Sequence, residues 1–287
     1  MAYKILFVFF FFPIALLAED LVFAEDSEWE VVTTGHQFAE GMAWDKEGHL
    51  YFTDVPRKQL FKVDKDTGEV TLIDDNTGNA NGIAFGPDGR LYGCCSGDNS
   101  INAWDPETWT KTAVNSGTPS NDIAILNNGT IFYTDPRSSK VWRLEAGSFE
   151  RSEAATLPWR PNGITLSLDQ KTLLVAEFNS DTIHGFPIGE DSRLTGSSHP
   201  AYKLAMPSDQ LGRLDGMMVL DDGRLLSGTQ LGTQIVPPVF AASASGPHIV
   251  IPSPEGRPRC NYARISPDKK WMYTAYGKDI LRRRIRQ

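Results

Sequence analysis

Six polar residues recur along this 287-residue chain, each directly before a short apolar segment. All six side chains carry oxygen donors, two carboxylates and four carboxamides, and they stand 40 to 53 residues apart: Glu40, Asn81, Asn121, Asn162, Asp215 and Asn261. Oxygen ligands that combine some negative charge with neutral carbonyls suit a hard cation. Calcium takes about six to eight of them, whereas magnesium is smaller and keeps more water. Because the set contains no His or Cys, it argues against zinc or copper.

Turn structure offers a second explanation for the same residues. Asn and Asp before a strand often accept hydrogen bonds from nearby backbone N–H groups. Each of the five Asn and Asp residues in the set, taken alone, could therefore cap a turn. Glu40 is the exception, because glutamate is a poor turn former. Six oxygen-bearing residues in register favour a shared polar site over six independent caps.

Each of the six residues opens the same sequence unit, which predicts a strand, a turn and a second strand. In the first unit, Met42 and Trp44 alternate with other residues, a turn follows at 45–48, and 50–53 forms the next apolar run. Alternation with period two is typical of a strand with two unlike faces. Four of the six turns end in glycine, which supplies the positive φ of a hairpin.

A repeat of this length predicts a propeller. The first five units each continue into a third and a fourth strand, whereas the sixth ends after its third. Residues 29–33 can supply the missing strand. We therefore predict an all-β fold, a six-bladed β-propeller whose ring is closed by the N-terminal strand, which also removes open sheet edges. The first strand of each blade lines the central channel, so the six opening residues would gather at one mouth.

The N-terminus indicates where the protein is located, and the net charge indicates which partners are disfavoured. Lys4 precedes an apolar run at 5–18, and Val22-Phe23-Ala24 forms a cleavage signal. This predicts a signal peptide at 1–24, a propeller at 25–287 and a periplasmic or secreted protein. An uncleaved anchor is the alternative, although the run is shorter than the roughly 18–20 residues of a spanning helix. A net charge of −8 disfavours nucleic acid and anionic lipid as partners.

Other chemistries find little support in the sequence. There is no Gly-x-Ser-x-Gly nucleophile elbow and no glycine-rich phosphate loop. Cys94, Cys95 and Cys260 are predicted to be buried strand residues without a disulfide, since adjacent cysteines rarely pair. Asp54 and Asp135, which follow a threonine at the end of second strands, are predicted to hold turns or pack blades.

Four short stretches resemble a known family. They are Phe38-Ala39-Glu40-Gly41, Ser120-Asn121-Asp122-Ile123, Arg160-Pro161-Asn162-Gly163-Ile164 and Leu214-Asp215-Gly216-Met217. In this order and spacing the chain resembles the gluconolactonase, regucalcin and luciferin-regenerating-enzyme family, above all its secreted bacterial gluconolactonase-like branch. The resemblance implies a six-bladed propeller with one divalent ion, usually calcium, at the channel mouth.

The resemblance also implies roles for individual residues. Glu40, Asn162 and Asp215 match metal ligands, Asp215 also matches a proposed general base, and Asn121 matches a residue that contacts the metal or the substrate. We expect Asn81 and Asn261, at equivalent positions in the ring, to line the substrate site with Asn121. Sugar-lactone members of the regucalcin type have arginine where this chain has Pro119, so the resemblance leaves the substrate open.

These observations together predict a calcium-dependent hydrolase that opens a sugar lactone or a related ring ester. The cation would hold the ester carbonyl while Asp215 accepts a proton from the attacking water. Two alternatives stay open: a metal-dependent phosphoesterase, and a non-enzymatic ligand-binding propeller in which the ion is structural. The expected partner is a small lactone or ester. We expect no nucleic acid, and no membrane after signal cleavage; protein partners stay open.

Overall fold

In the part of the chain that the structure describes, twenty-four strands form six antiparallel four-stranded sheets arranged as the blades of a propeller. The computed structural model describes residues 21–206, 211–239, 246–257 and 259–287. Within these ranges no helix is long and apolar enough to cross a membrane. The predicted six-bladed β-propeller is confirmed.

The first three blades follow the repeat from its inner strand outward. Blade 1 contains β2 (Ala39–Trp44), β3 (Leu50–Asp54), β4 (Gln59–Val63) and β5 (Val70–Asp74). Blade 2 contains β6 (Ala80–Phe85), β7 (Leu91–Cys95), β8 (Ser100–Trp104) and β9 (Lys111–Ser116). Blade 3 contains β10 (Ile123–Ile125), β11 (Ile131–Asp135), β12 (Lys140–Leu144) and β13 (Arg151–Thr156).

The other three blades repeat this order, except that the last one borrows a strand. Blade 4 contains β14 (Pro161–Leu166), β15 (Thr172–Glu177), β16 (Thr182–Pro187) and β17 (His199–Lys203). Blade 5 contains β18 (Met217–Val219), β19 (Leu225–Thr229), β20 (Gly232–Val236) and β21 (Ile249–Pro252). Blade 6 contains β22 (Tyr262–Ile265), β23 (Trp271–Ala275) and β24 (Ile280–Arg284), and its outer strand is β1 (Glu30–Thr33).

The N-terminal strand closes the ring as predicted. β1 pairs antiparallel with β24, with Val31 opposite Leu281. The preceding residues continue the contact: Phe23 is 2% exposed, its ring lies 5.4 Å from that of Trp29, and the Ala24 N–H donates to the Arg284 carbonyl at 3.0 Å. Of the predicted signal segment, residues 1–20 lie outside the described residues, so its end at residue 24 stays a prediction.

The core lies between neighbouring blades. Met42 and Phe52 of blade 1 pack with Tyr262 of blade 6, and the Trp44 ring meets the Tyr273 ring edge-on at 5.5 Å. Burying each large apolar side chain contributes about 1.5–3 kcal/mol. This packing holds the first strands around the axis. The three cysteines are buried and free, which confirms the prediction of no disulfide.

The bounds of two outer strands differ from those predicted from the sequence. The fourth strand of blade 3 was predicted at 150–153 and runs over Arg151–Thr156; that of blade 4 was predicted at 202–205 and is β17. β17 therefore begins inside the segment predicted as a loop at 188–204. Outer strands are half-exposed, so their apolar alternation is weak, and a bulge in the β16–β17 pairing disturbs it further. The predicted loop at 237–247 lies partly outside the described residues.

Candidate active site at the channel mouth

Register shifts mark three of the predicted site residues. The β2–β3 pairing shifts between Glu40 and Met42, the β6–β7 pairing around Asn81, and the β14–β15 pairing around Asn162. A bulge inserts an extra residue, bends the strand and re-aims a side chain. These three side chains are therefore released from the regular alternation of the sheet at the end of the inner strand.

Glycine directly after the predicted residue lets neighbouring blades approach closely. Gly41 has a φ of +41°, and a Cβ there would lie 2.1 Å from the carbonyl oxygen of Asn81. A Cβ on Gly163 would lie 2.1 Å from the carbonyl oxygen of Asp215. Only a residue without a side chain permits these approaches. They bring blade 2 against blade 1, and Asp215 against the strand that carries Asn162.

Backbone hydrogen bonds continue the ring between the other blades. The Gly82 N–H donates to the Asn121 carbonyl at 2.8 Å, and the Gly216 N–H donates to the Asn261 carbonyl at 2.9 Å. The Ala39 N–H donates to the Gly277 carbonyl at 2.5 Å and joins blade 1 to blade 6. The six predicted positions are thus linked to one another through contacts between the opening segments of the inner strands.

Two buried oxygen atoms at this mouth have no hydrogen-bond partner. Glu40 is 2% exposed and Asn162 is 5% exposed, yet neither Glu40 Oε2 nor Asn162 Oδ1 has a donor within reach in the described part of the chain. An unsatisfied buried polar group costs about 1–3 kcal/mol. Each of these acceptors is suited to a positively charged or hydrogen-bond-donating ligand.

Electrostatics strengthen the same conclusion. Burial raises the pKa of Glu40 well above its ordinary value, and the nearby Asp215 charge raises it further. Burial also raises the pKa of Asp215 to about 7, although the Arg259 guanidinium opposes the shift. Both carboxyl groups are therefore buried near each other, and burial disfavours the ionised form of each. A cation placed between such groups would restore their ordinary acidity.

The remaining predicted residues divide into two kinds. Asn81 and Asn121 are half-buried, whereas Asn261 is 1% exposed and its Nδ2 lacks an acceptor among the described residues. Within the described ranges no three His, Cys, Asp or Glu side chains are grouped to hold a metal. The predicted ligand set combines two carboxylates with one carboxamide, so it does not depend on such a group. The roles assigned to these residues stay predictions.

The sequence analysis missed the buried carboxylate of Asp122. It is 3% exposed; its Oδ1 accepts the Ile123 N–H at 2.9 Å and the Tyr262 hydroxyl at 3.3 Å, and its Oδ2 accepts the Ile164 N–H at 3.2 Å. Burial raises its pKa to about 6, against the effect of Arg264. Asp122 therefore ties blade 3 to blades 4 and 6 beneath the mouth. Its place directly after Asn121 was its only signal in the sequence.

Arg259 is the second residue that the sequence analysis missed. Its Nη2 lies 3.6 Å from Asp215 Oδ2, with the two side chains 17% and 10% exposed. Arginine stands two residues before the opening residue in three blades, at Arg160, Arg213 and Arg259. That spacing was a usable signal, but Arg160 and Arg213 are exposed. Only the fold distinguishes the one that turns toward the carboxylates.

The fold and the mouth define a class, a six-bladed propeller with a buried, oxygen-rich site at one end of its channel. The profile of the SMP-30/Gluconolactonase/LRE-like region matches residues 38–237, more than half of the chain. The chain therefore belongs to this family, which confirms the resemblance carried by the four stretches.

Individual relatives agree with this assignment. The gluconolactonase of Zymomonas mobilis is 26% identical over 249 residues, which cover 73% of this chain and 69% of that protein. The lactonase drp35 of Staphylococcus epidermidis is 27% identical over 170 residues, which cover 53% of this chain and 51% of that protein. The chain thus spans about half the length of the staphylococcal relative.

Solved structures show the same fold at lower identity. A gluconolactonase from Xanthomonas campestris superposes with a TM-score of 0.77 at 22% identity, covering 95% of this chain and 93% of that one. A calcium-binding protein, regucalcin, from Agrobacterium tumefaciens superposes with a TM-score of 0.71 at 14% identity, covering 89% and 93%. At these identities the likeness concerns the fold.

Proposed function

We propose that this protein hydrolyses a lactone at the channel mouth with the help of a divalent cation, calcium in the first place. One observation carries the proposal: Glu40 Oε2 and Asn162 Oδ1 are buried acceptors without donors in the described chain, and the Asp215 carboxylate belongs to the same site. The names of the curated relatives, a gluconolactonase and a lactonase, support the reaction class.

Glu40, Asn162 and Asp215 are the residues that would hold the cation. Their donor set fits calcium, because it offers two negative charges and a neutral carbonyl, all through oxygen. The calcium-binding protein among the structural neighbours supports the same choice. When bound, the cation would act as a Lewis acid toward an ester carbonyl.

The chain's own residues then supply proton transfer and orientation. Asp215 accepts a proton from water, whose oxygen bonds to the lactone carbonyl carbon. The ring C–O bond then breaks, its oxygen takes the proton that Asp215 holds, and a hydroxy acid leaves. A bound cation would lower the pKa of Asp215 again, so Asp215 would act as a weak base that relies on its position beside the water.

The substrate is proposed to be a sugar lactone or a related ring ester. The side-chain amides of Asn81, Asn121 and Asn261 can both donate and accept hydrogen bonds, which suits the hydroxyl groups of a sugar ring. A lactone is also a reactive ester. This matters because calcium acidifies its bound water less than zinc does, so the chain must attack a bond that is already activated.

A pH-indicator assay on a panel of lactones tests the proposal, with D-glucono-1,5-lactone and γ-butyrolactone as the first members. We expect turnover in calcium and none in EDTA. Asp215→Asn should lower kcat at least about 100-fold, the usual contribution of a positioned general base. Asp222→Asn, in the hairpin turn at the far end of β18, should keep wild-type activity because its partner is Arg224.

Other results would overturn the proposal. Full activity of Asp215→Asn with calcium still bound would show that Asp215 is not the general base. Calcium binding without turnover on any ester of the panel would instead favour a ligand-binding propeller.

A further inference from the structure

Three arginines occupy the same position in successive blades but have different surroundings. The Arg160 guanidinium lies over the Phe178 ring at 4.6 Å and its residue is exposed, and Arg213 is exposed as well. The Arg259 side chain is only 17% exposed and lies against Asp215. Arg160 also lowers the pKa of Asp215, but of the three arginines only Arg259 forms an ion pair with that carboxylate in the described part of the chain.

The Arg259 guanidinium has unused hydrogen-bonding capacity at that place. A guanidinium carries five N–H donors in a planar fork that matches two oxygen atoms. Its Nη2 contact with Asp215 is a loose 3.6 Å, and its buried Nη1 has no acceptor among the residues that the structure describes. A buried donor without a partner is costly. Its position beside the proposed base makes an oxygen of the substrate the natural acceptor.

Formal charges show what kind of oxygen this would be. Asp122 is balanced by Arg264, through the Tyr262 hydroxyl that accepts from Arg264 at 3.0 Å and donates to Asp122 at 3.3 Å. The charges of Glu40 and Asp215 match those of one divalent cation. The Arg259 charge is then left over, and the exposed Arg160, which also acts on Asp215, adds to it, so the loaded mouth carries net positive charge. A neutral lactone cannot cancel it, whereas an oxygen that becomes negative can.

We propose that Arg259 binds the carbonyl oxygen of the lactone as it becomes negatively charged, and afterwards the carboxylate of the product. This inference rests on the proposed function. As water bonds to the carbonyl carbon, the electron pair of the C=O bond moves to that oxygen beside Arg259. When the ring C–O bond breaks, the pair re-forms the C=O bond and the ring oxygen takes the proton held by Asp215. The product acid then loses its own proton to solvent, which leaves a carboxylate beside Arg259.

Kinetics on D-glucono-1,5-lactone provide the first test. Arg259→Gln should lower kcat by about 100-fold, comparable to the loss of one oxyanion donor, with KM changed less than about threefold. Arg259→Lys keeps the positive charge but loses the planar pair of donors. Its kcat should lie between those of the wild type and Arg259→Gln. Arg213→Gln, at the equivalent but exposed position, is the matched control and should retain wild-type kcat. An unchanged kcat with a higher KM, or an equal loss in Arg213→Gln, would overturn the proposal.

Binding measurements decide the question even if no lactone is turned over. Isothermal titration of the calcium-loaded protein with gluconate should show binding that weakens at least about tenfold in Arg259→Gln and is unchanged in Arg213→Gln. Calcium affinity should stay the same or rise in Arg259→Gln, because a neighbouring positive charge has gone. Absence of gluconate binding to the wild type, or weaker calcium binding in Arg259→Gln, would contradict the proposal.

Discussion

Buried carboxylates occur in two regions of this propeller, at the channel mouth and at the corners after second strands. At the corners every oxygen is occupied. Asp135 Oδ1 accepts the N–H groups of Arg137 and Ser138 at 3.0 and 3.1 Å, and its Oδ2 accepts the Ser138 hydroxyl and the Trp142 indole N–H. At the mouth, Glu40 is equally buried, yet its Oε2 is left without a donor in the described structure.

Both oxygens of Asp54, after the second strand of blade 1, are also occupied, but by donors from the segment before β2. Its two oxygens accept the N–H groups of Phe38 and Gln37 at 3.0 and 2.9 Å, and His36 lies 3.5 Å away. The prediction that Asp54 and Asp135 hold turns or pack blades is therefore confirmed: Asp135 holds the turn that follows it, and Asp54 fixes the segment before β2 within its blade. The contrast teaches that burial alone does not distinguish a functional carboxylate from a structural one. What distinguishes them is the number of hydrogen-bond donors that the fold supplies to the carboxylate.

The largest expected effect is on function, from Glu40→Gln at the mouth. Loss of a charged ligand should weaken calcium binding more than about 100-fold, since even partners outside the ligand set contribute 10- to 100-fold. Titration calorimetry and the lactone assay would measure it. In calcium-free buffer the free energy of unfolding should stay the same or rise, because the cost of burying an ionisable carboxyl group has been removed. A clear loss of stability in the calcium-free protein would show that Glu40 has a structural role, like Asp135.

The matched change at a corner should have the opposite outcome. Asp135→Asn removes the Oδ2 acceptor of the Ser138 hydroxyl and the Trp142 indole N–H, which are part-buried bonds, and should cost about 1 kcal/mol of unfolding free energy. Urea denaturation in calcium-free buffer would show this cost. Calcium affinity should be unchanged, and a weakened affinity would mean that the two regions are coupled.

Calcium itself should stabilise the protein through the mouth alone. A ligand at ten times its Kd adds about 1.4 kcal/mol to the free energy of unfolding, which appears as a higher Tm. We expect this shift in the wild type and in Asp135→Asn, and its absence in Glu40→Gln. A scan with EDTA sets the baseline for each protein. A full shift in Glu40→Gln would place the ion elsewhere.

The smallest effect expected is the pH dependence of one corner. His36 is 7% exposed between the Phe52 and Phe61 rings, and burial lowers its pKa below 6.5 despite the charge of Asp54. The folded state therefore holds the proton less tightly than the unfolded chain. Stability is full above pH 6.5 and declines as the pH falls from 6.5 toward the folded pKa, by less than about 1.4 kcal/mol per pH unit.

The difference between wild type and His36→Asn isolates this contribution. Urea midpoints between pH 8 and pH 5, measured in saturating calcium, should decline more steeply in the wild type than in the variant. Parallel pH profiles would assign the slope to other groups.

The sequence was enough for the fold because one signal is repeated six times. Alternating apolar residues and glycine-ended turns report local structure, so each copy repeats the same information. It was also enough to collect the predicted mouth residues, because equivalent repeat positions must meet at one end of a propeller channel. The outer strands β13 and β17 shifted because half-exposed strands have a weaker apolar pattern.

By itself, the sequence determined the architecture and the oxygen-rich character of the mouth, since both follow from local pattern and symmetry. Tertiary structure alone decided which groups are satisfied. Asp122 and Asn121 are neighbours, but only the packing of blades 4 and 6 gives Asp122 its donors. Arg259 and Arg213 hold equivalent positions, but only one lies against Asp215. Such differences depend on distances between residues far apart in the chain, which a repeat pattern does not encode.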